Sequence, residues 1–129
     1  QTAVWTGTEI IVWGGYDGTS YLNTGGKYNP SSDSWTATST GANVPAGRRY
    51  QREAVWTGIE MVVWGGFNGS YLNSGGKYEP TSNSWSTTST GANVPAGRMR
   101  NTVVWSGSKM IVWGGNNGTD TNTGGQYCP

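Results

Sequence analysis

The chain has 129 residues, of which 33% are apolar, and its formal net charge is +1. A charge this small creates no long-range field favouring nucleic acid or an anionic membrane surface, so neither is expected as a partner. The lone Cys128 excludes an internal disulfide framework, and the longest apolar runs, such as Ile10–Trp13, are too short to span a bilayer.

One five-residue motif occurs three times. Ala3–Gly7 returns as Ala54–Gly58 and again as Val103–Gly107, at steps of 51 and 49 residues. A period of this length is typical of propeller or solenoid units. We therefore divide the chain into three units, residues 1–50, 51–100 and 101–129.

Each unit reads as a series of short strands. In the first unit, Ala3–Thr6 and Ile10–Trp13 are joined by a glycine turn, and both are apolar enough to be buried on both faces between neighbouring sheets. A third strand contains Lys27 and Tyr28, and a fourth, Trp35–Thr38, recurs as Trp85–Thr88. No segment has helical periodicity, so the prediction is an all-β protein.

The connector between units is copied almost unchanged. Ser39–Arg48 recurs without a difference as Ser89–Arg98, and 15 of 19 positions agree between Pro30–Arg48 and Pro80–Arg98. The third unit contains no outer tryptophan strand. The sequence therefore predicts two four-stranded sheets and one three-stranded partial sheet.

The repeated glycine pair, tyrosine and tryptophan resemble the kelch repeat. The residues that carry the resemblance are Gly14-Gly15, Tyr28 and Trp35; Gly65-Gly66, Tyr78 and Trp85; and Gly114-Gly115 and Tyr127. Kelch units form four-stranded blades of a β-propeller. The resemblance implies that the first strand of each unit lies innermost and the Trp-bearing strand outermost. The chain lacks the His that many kelch units carry before the first strand, and Gln1, Arg52 and Asn101 are assigned to those places.

Three blades cannot close a ring, because even small propellers need about four. Their apolar flanks must be covered. We expect the ring to be closed by a second copy of the chain, as a homodimer with six blades, or by the missing blades of a longer parent chain. Other assemblies, including filaments, remain possible at this point.

Aromatic side chains in the variable loops are the first candidates for contact with a protein or glycan ligand, because loops on a rigid scaffold commonly carry recognition. They are Tyr16, Tyr21, Phe67 and Tyr71. The strand tryptophans, such as Trp5 and Trp13, are interpreted as packing between blades, with sugar stacking as the alternative.

Arginines in the connectors are the second group of candidates. A cluster at one end of the channel would suit a carboxylate or phosphate of a partner. The interpretation we favour is that these side chains bond backbone carbonyls or Glu53 in a neighbouring blade. The connector arginines are Arg48, Arg49, Arg52, Arg98 and Arg100, and of these Arg48, Arg52, Arg98 and Arg100 are taken as candidate contact residues.

The chain contains no histidine, which excludes nucleophilic mechanisms that use a His base. Asn116–Asp120 supplies one carboxylate, fewer than a hard cation usually needs, so no metal site, cofactor or catalytic residue is predicted. The predicted function is a non-catalytic interaction or assembly module. The alternatives are a multivalent carbohydrate-binding propeller and an engineered or fibre-forming scaffold without a ligand.

Two glycosylation sequons begin at Asn68 and Asn117. They fit an extracytoplasmic protein, and they are also what an Asn-Gly turn followed by Ser or Thr produces. The localisation therefore stays open.

Overall fold

The computed structural model describes all 129 residues, which form eleven strands and no helix, hence no helix that could cross a membrane. The strands of the first unit are β1 (Thr2–Trp5), β2 (Ile10–Trp13), β3 (Gly25–Asn29) and β4 (Ser34–Ala37). Those of the second are β5 (Val55–Trp56), β6 (Met61–Trp64), β7 (Gly75–Glu79) and β8 (Ser84–Thr87). Those of the third are β9 (Thr102–Trp105), β10 (Met110–Trp113) and β11 (Gly124–Tyr127).

The strands form three separate antiparallel sheets with sequential order. Blade 1 is β1-β2-β3-β4, blade 2 is β5-β6-β7-β8, and blade 3 is β9-β10-β11. The first strand of blade 2 contacts the first strands of blades 1 and 3, so the first strands lie innermost. The fourth strands, which contain Trp35 and Trp85, lie outermost. These features confirm the predicted all-β fold of kelch-like blades, and the ring is not closed within the chain.

Side-chain hydrogen bonds end β1 one residue earlier than predicted. The Thr6 hydroxyl accepts the backbone N–H of Glu9 at 3.0 Å, and Gly7 has a φ of 106°, a conformation that glycine adopts without strain. Thr6 therefore belongs to the turn. β4 also lies one residue before the predicted range, because Asn29 pairs with Ser34 directly at the turn.

The connector into blade 2 departs from the repeat. The strand β5 has only two residues, and the Glu53 carboxylate before it accepts the backbone N–H of Val103 in blade 3 at 2.7 Å. Gln51 is buried and lies against Gly66, the second glycine of the pair in blade 2. Asn101 lies against Gly115, the equivalent glycine of blade 3, so Gln51 and Asn101 are the equivalent residues before the first strand. The assignment of Arg52 to this place was therefore wrong by one residue.

Two apolar clusters fill the spaces between blades. The first contains Val4, Ile11 and Trp13 of blade 1 with Met61, Val63, Tyr78 and Trp85 of blade 2. The second contains Val55, Val62 and Trp64 of blade 2 with Val103, Met110 and Val112 of blade 3. Each blade thus has a forward face that packs on the following blade and a backward face that packs on the preceding one.

Only blade 2 is covered on both faces. All four residues of β6 are buried, whereas the burial of β2 and β10 alternates between a covered face and an open one. Met61 is 0% exposed on the backward face of blade 2, and its repeat equivalent on blade 1, Ile10, is 37% exposed. The expectation of strands buried on both faces is therefore met in blade 2 and corrected for blades 1 and 3.

The repeat supplies a matched test of this difference. Met61→Ala should lower the free energy of unfolding by about 2–5 kcal/mol, because it leaves a cavity between two blades. Ile10→Ala, measured in chemical denaturation at a concentration where the chain is monomeric, should cost under about 1 kcal/mol, because much of that side chain already meets water. Equal losses at the two positions would contradict the assignment of an open backward face to blade 1.

Candidate functional site

The variable loops and the connectors emerge at the same end of the blades. The loop between the second and third strands of blade 2 is tied to the preceding connector by two backbone hydrogen bonds of 2.9 Å, one in each direction, between Phe67 and Arg49. Met99 and Asn116 make the same pair of bonds, also at 2.9 Å, one blade further on. Each connector is thereby fixed against the loop of the next blade.

The four aromatic side chains predicted as contacts form one continuous row across two blades. The ring centroids of Tyr16 and Tyr21 are 5.2 Å apart, those of Tyr21 and Phe67 are 6.3 Å apart, and those of Phe67 and Tyr71 are 5.4 Å apart. These separations are typical of aromatic pairs that stabilise one another. The row is therefore a preformed surface.

Two arginines of the connectors lie on tyrosine rings of the same surface. The guanidinium carbon of Arg49 is 4.7 Å from the ring centroid of Tyr16, 5.5 Å from that of Tyr21 and 4.6 Å from that of Tyr50. The guanidinium carbon of Arg100 is 4.8 Å from the Tyr50 centroid. Such cation–π contacts fix the positive charges in place. We name this set the loop surface: Tyr16, Tyr21, Arg49, Tyr50, Phe67, Tyr71 and Arg100.

The backbone at Tyr50 and Arg100 has left-handed geometry. Their φ values are 60° and 57°, in the region that non-glycine residues rarely adopt, and the Arg100 N–H donates to the Tyr50 carbonyl at 2.9 Å. Each residue lies two positions after a buried arginine, Arg48 or Arg98. The two connectors thus carry the same strained step, which is a feature that often marks recognition sites.

The carboxylate that follows Tyr16 in the chain is held within its own loop. Asp17 accepts the backbone N–H groups of Thr19 at 2.9 Å and Ser20 at 2.7 Å. These bonds, that from Ser20 first, lower the pKa of the exposed Asp17 carboxyl below its usual value. Asp17 therefore stabilises the loop turn as an anion.

For Arg48 and Arg98 the structure favours bonds to backbone carbonyls over contact with a ligand. Both are buried, at 1% and 2% exposure, and lie inside the blade interfaces. Arg48 Nη1 donates to the carbonyls of Gly65 at 3.1 Å and Ser74 at 2.6 Å, and its Nε donates to its own connector at the Ala46 carbonyl, 2.9 Å away. A guanidinium enclosed in this way has no face left for a partner.

Arg98 repeats this arrangement one blade further on. Its Nη1 donates to the carbonyls of Gly114 at 3.0 Å and Thr123 at 2.6 Å. Burial lowers the pKa of Arg48 to about 10 and lowers the pKa of Arg98 as well. The interpretation that the connector arginines bond backbone carbonyls of a neighbouring blade therefore describes these two residues.

The remaining arginines behave differently. Arg100 lies in the loop surface, whereas Arg52 is exposed and makes none of its cation–π contacts. Arg49 was grouped with the connector arginines, but neither it nor Tyr50 was chosen as a contact residue, although both lie between the buried Arg48 and the innermost strand. The signal that could have found them is the Arg-Arg-Tyr run, because the residues that follow a buried arginine in a connector are free to reach the surface.

No group of three or more His, Cys, Asp and Glu side chains comes close enough together to hold a metal ion. Cys128 is free and exposed. The single ion pair of the chain, Lys77 with Glu60 at 3.8 Å, joins β7 of blade 2 to the hairpin turn directly before β6.

A family model described as the KLHDC2/KLHL20/DRC7 Kelch-repeats domain matches residues 1–127. No curated protein matches the chain.

Arg48 and Arg52 form a matched pair for testing the buried hydrogen bonds. Arg48→Met should lower the free energy of unfolding by about 2–4 kcal/mol, because two buried carbonyls lose their donor. Arg52→Met should change it by no more than about 0.5 kcal/mol, as exposed substitutions usually do. Urea denaturation of the two variants measures both values. A larger loss for Arg52→Met than for Arg48→Met would contradict the structural role assigned to Arg48.

Proposed function

The chain belongs to the kelch-repeat family, and on this basis we propose that it is an interaction module that closes its propeller with a second copy of itself and binds a protein through the loop surface. Kelch-repeat domains are typically non-catalytic interaction modules. The observation that carries the proposal is the match between its two open blade faces.

The open forward face belongs to blade 3. It contains Val104, Ile111 and Trp113, and Trp113 is 58% exposed. The equivalent residues of blade 1 are Val4, Ile11 and Trp13, which are buried against blade 2. An apolar set that is buried elsewhere in the same chain has a strong tendency to leave water.

The open backward face belongs to blade 1. The side chains that it exposes are Trp5, Ile10 and Trp35. The equivalents in blade 2, namely Trp56, Met61 and Trp85, form the surface on which Val4, Ile11 and Trp13 pack. A forward face of one copy and a backward face of another therefore reproduce an interface that the chain already contains.

Two such contacts close a ring. If blade 3 of each copy packs on blade 1 of the other, both contacts form at once and give six blades with two-fold symmetry. Between two copies of residues 1–129, these contacts would consist of sheet faces without a connector arginine. We therefore expect them to be weaker than the two internal interfaces. Further blades of a longer polypeptide would cover the same faces and are the alternative to a second copy.

The loop surface suits a partner that carries carboxylates. Its two arginines have no carboxylate partner, and the tyrosine rings around them restrict their motion, so little side-chain entropy is lost on binding. An acidic peptide segment of a partner protein provides the complementary charge. The carbohydrate-binding and scaffold functions stay predictions. No contact in the structure favours either of them over the binding of a protein.

Self-association is tested by the molar mass over a dilution series. Sedimentation equilibrium should give twice the chain mass of 13.7 kDa at high concentration and the monomer on dilution. Trp113→Arg should give a monomer throughout, because the charge would be buried without a partner. Ile59→Arg, at an exposed hairpin turn outside both faces, is the control and should leave the dimer intact. A molar mass that stays at 13.7 kDa at every concentration would contradict the proposal. A molar mass that keeps rising with concentration, beyond that of a dimer, would favour the scaffold alternative.

Partner chemistry at the loop surface is tested with a fluorescein-labelled hexaglutamate peptide in fluorescence anisotropy. Binding should weaken about fivefold or more in Arg100→Ala and on raising the salt concentration, because the contact is charged and exposed. Arg52→Ala is the control and should bind as the unmodified chain does. No binding, or an equal effect of Arg52→Ala, would contradict the assignment. A glycan-array signal that is lost in Tyr21→Ala and Tyr71→Ala would favour carbohydrate binding instead.

A further inference from the structure

An Asn-Gly pair lies at the tip of the loop in blade 2, and another lies at the tip of the loop in blade 3. The pairs are Asn68-Gly69 and Asn117-Gly118, and each glycine has a positive φ, of 104° and 112° respectively. In both loops the asparagine N–H donates to the carbonyl two residues further on, at 3.2 Å in blade 2 and 3.1 Å in blade 3. The two tips therefore have matching backbone structure.

In blade 3 the glycine N–H at the tip is engaged in a hydrogen bond. Gly118 donates it to Asn116 Oδ1 at 3.0 Å. Asn116 is held in this orientation by Asp120, because the side-chain amide of Asn116 donates to Asp120 Oδ1 at 3.0 Å. Two side chains of the loop therefore protect the Gly118 nitrogen, since this hydrogen bond must break before the nitrogen can lose its proton.

In blade 2 the glycine N–H at the tip is free. The positions of Asn116 and Asp120 are taken by Phe67 and Tyr71, whose rings pack on each other with their centroids 5.4 Å apart. The Gly69 N–H makes no hydrogen bond within the chain, and the residue is exposed. The aromatic row of the loop surface thus replaces the two polar side chains that protect the equivalent glycine in blade 3.

A glycine nitrogen without a hydrogen bond is free to attack the side chain of the asparagine before it, and no Cβ obstructs the attack. When the Gly69 amide loses its proton, the nitrogen forms a bond to Asn68 Cγ and closes a succinimide ring. The bond from Cγ to Nδ2 breaks, and Nδ2 leaves with a proton as ammonia. Water then opens the ring at either carbonyl. It supplies the hydroxyl of the new carboxyl group and returns a proton to the nitrogen, which gives aspartate or isoaspartate at position 68.

We propose that Asn68 is a site of spontaneous deamidation, and that this modification lowers the affinity of the loop surface for acidic ligands. The product carries a negative charge on the residue next to Phe67, whose backbone is bonded to that of Arg49. A carboxylate at this place opposes the positive charges of Arg49 and Arg100. Blade 1 shows that the repeat accepts a carboxylate here, because Asp17 precedes the glycine of its own loop. The effect on affinity rests on the proposed function, whereas the modification does not.

The rate of modification is measured by peptide mapping and mass spectrometry of the 129-residue chain, made in a host without N-glycosylation and incubated at mildly alkaline pH. Asn68 should react about fivefold faster than Asn117, the ratio that one hydrogen bond of ordinary strength gives. In concentrated urea the two rates should become equal, because both pairs then lie in an unfolded chain. Equal rates in the folded chain, or a ratio that persists in urea, would overturn the proposal.

Matched variants test the cause of the protection in blade 3. Asn116→Ala removes the acceptor of the Gly118 N–H and should raise the rate at Asn117 to about that at Asn68. Asn122→Ala, in the same loop, removes a side chain that makes no hydrogen bond, and it should leave the rate at Asn117 unchanged. Urea denaturation checks that both variants keep the stability of the unmodified chain. An unchanged rate in Asn116→Ala would overturn the role assigned to this hydrogen bond.

The effect on binding is measured with the labelled hexaglutamate peptide. Asn68→Asp carries the charge of the product and should weaken binding by about two- to fivefold, as one exposed charge typically does. Asn68→Gln is neutral and closes no succinimide ring, so it should keep its affinity during an incubation in which that of the unmodified chain falls. An equal loss in the two variants would overturn the assigned effect of the charge. A chain that fails to bind before incubation would contradict the proposed function, while the ratio of the two rates still decides whether Asn68 is the modified site.

Discussion

Every blade of this chain is one sheet thick with apolar side chains on both faces, so each blade needs a neighbour on either side. The chain meets this requirement once, at blade 2, where β6 is buried completely. The two internal interfaces are also crossed by a buried arginine, Arg48 or Arg98, whose guanidinium is bound to carbonyl groups of the next blade. Face packing and these charge-assisted bonds together set the angle between successive blades and thereby the position of every loop.

The loop surface follows from this anchoring. Because Arg48 is drawn into the interface, the chain must turn sharply after it, and Tyr50 adopts a positive φ that leaves its ring and the neighbouring Arg49 at the surface. The same turn follows Arg98 and exposes Arg100. The residues of each connector thus have two roles. One arginine holds the blades together, and the residues after it are at the surface.

The repeat made the architecture readable from the sequence. Glycine pairs, the tyrosine and the outer tryptophan recur in phase, and they gave the strand order, the number of sheets and the family. The row from Tyr16 to Tyr71 was predicted as a set of contacts, and the structure brings its members together. The sequence could not separate Arg48 from Arg100, since both are connector arginines of the same type. Only the fold shows which guanidinium meets carbonyl groups and which meets water.

One further feature depends on distances that a repeat pattern does not contain. The extra residue in the connector before blade 2 places Gln51, and not Arg52, against the glycine pair of that blade. An insertion in a connector leaves no mark on the strands beside it, so the sequence alone did not show this shift.

The central claim is that a second copy of the chain covers the open faces of blades 1 and 3. Hydroxyl-radical footprinting of the intact chain at two concentrations tests this claim most directly. Oxidation of Trp5 and Trp113 should fall as the concentration rises, because each then packs on a blade of another copy, whereas oxidation of Ile59 at the exposed turn should stay the same. Equal oxidation of Trp5 and Trp113 at every concentration would mean that these flanks stay in water, and would contradict the account.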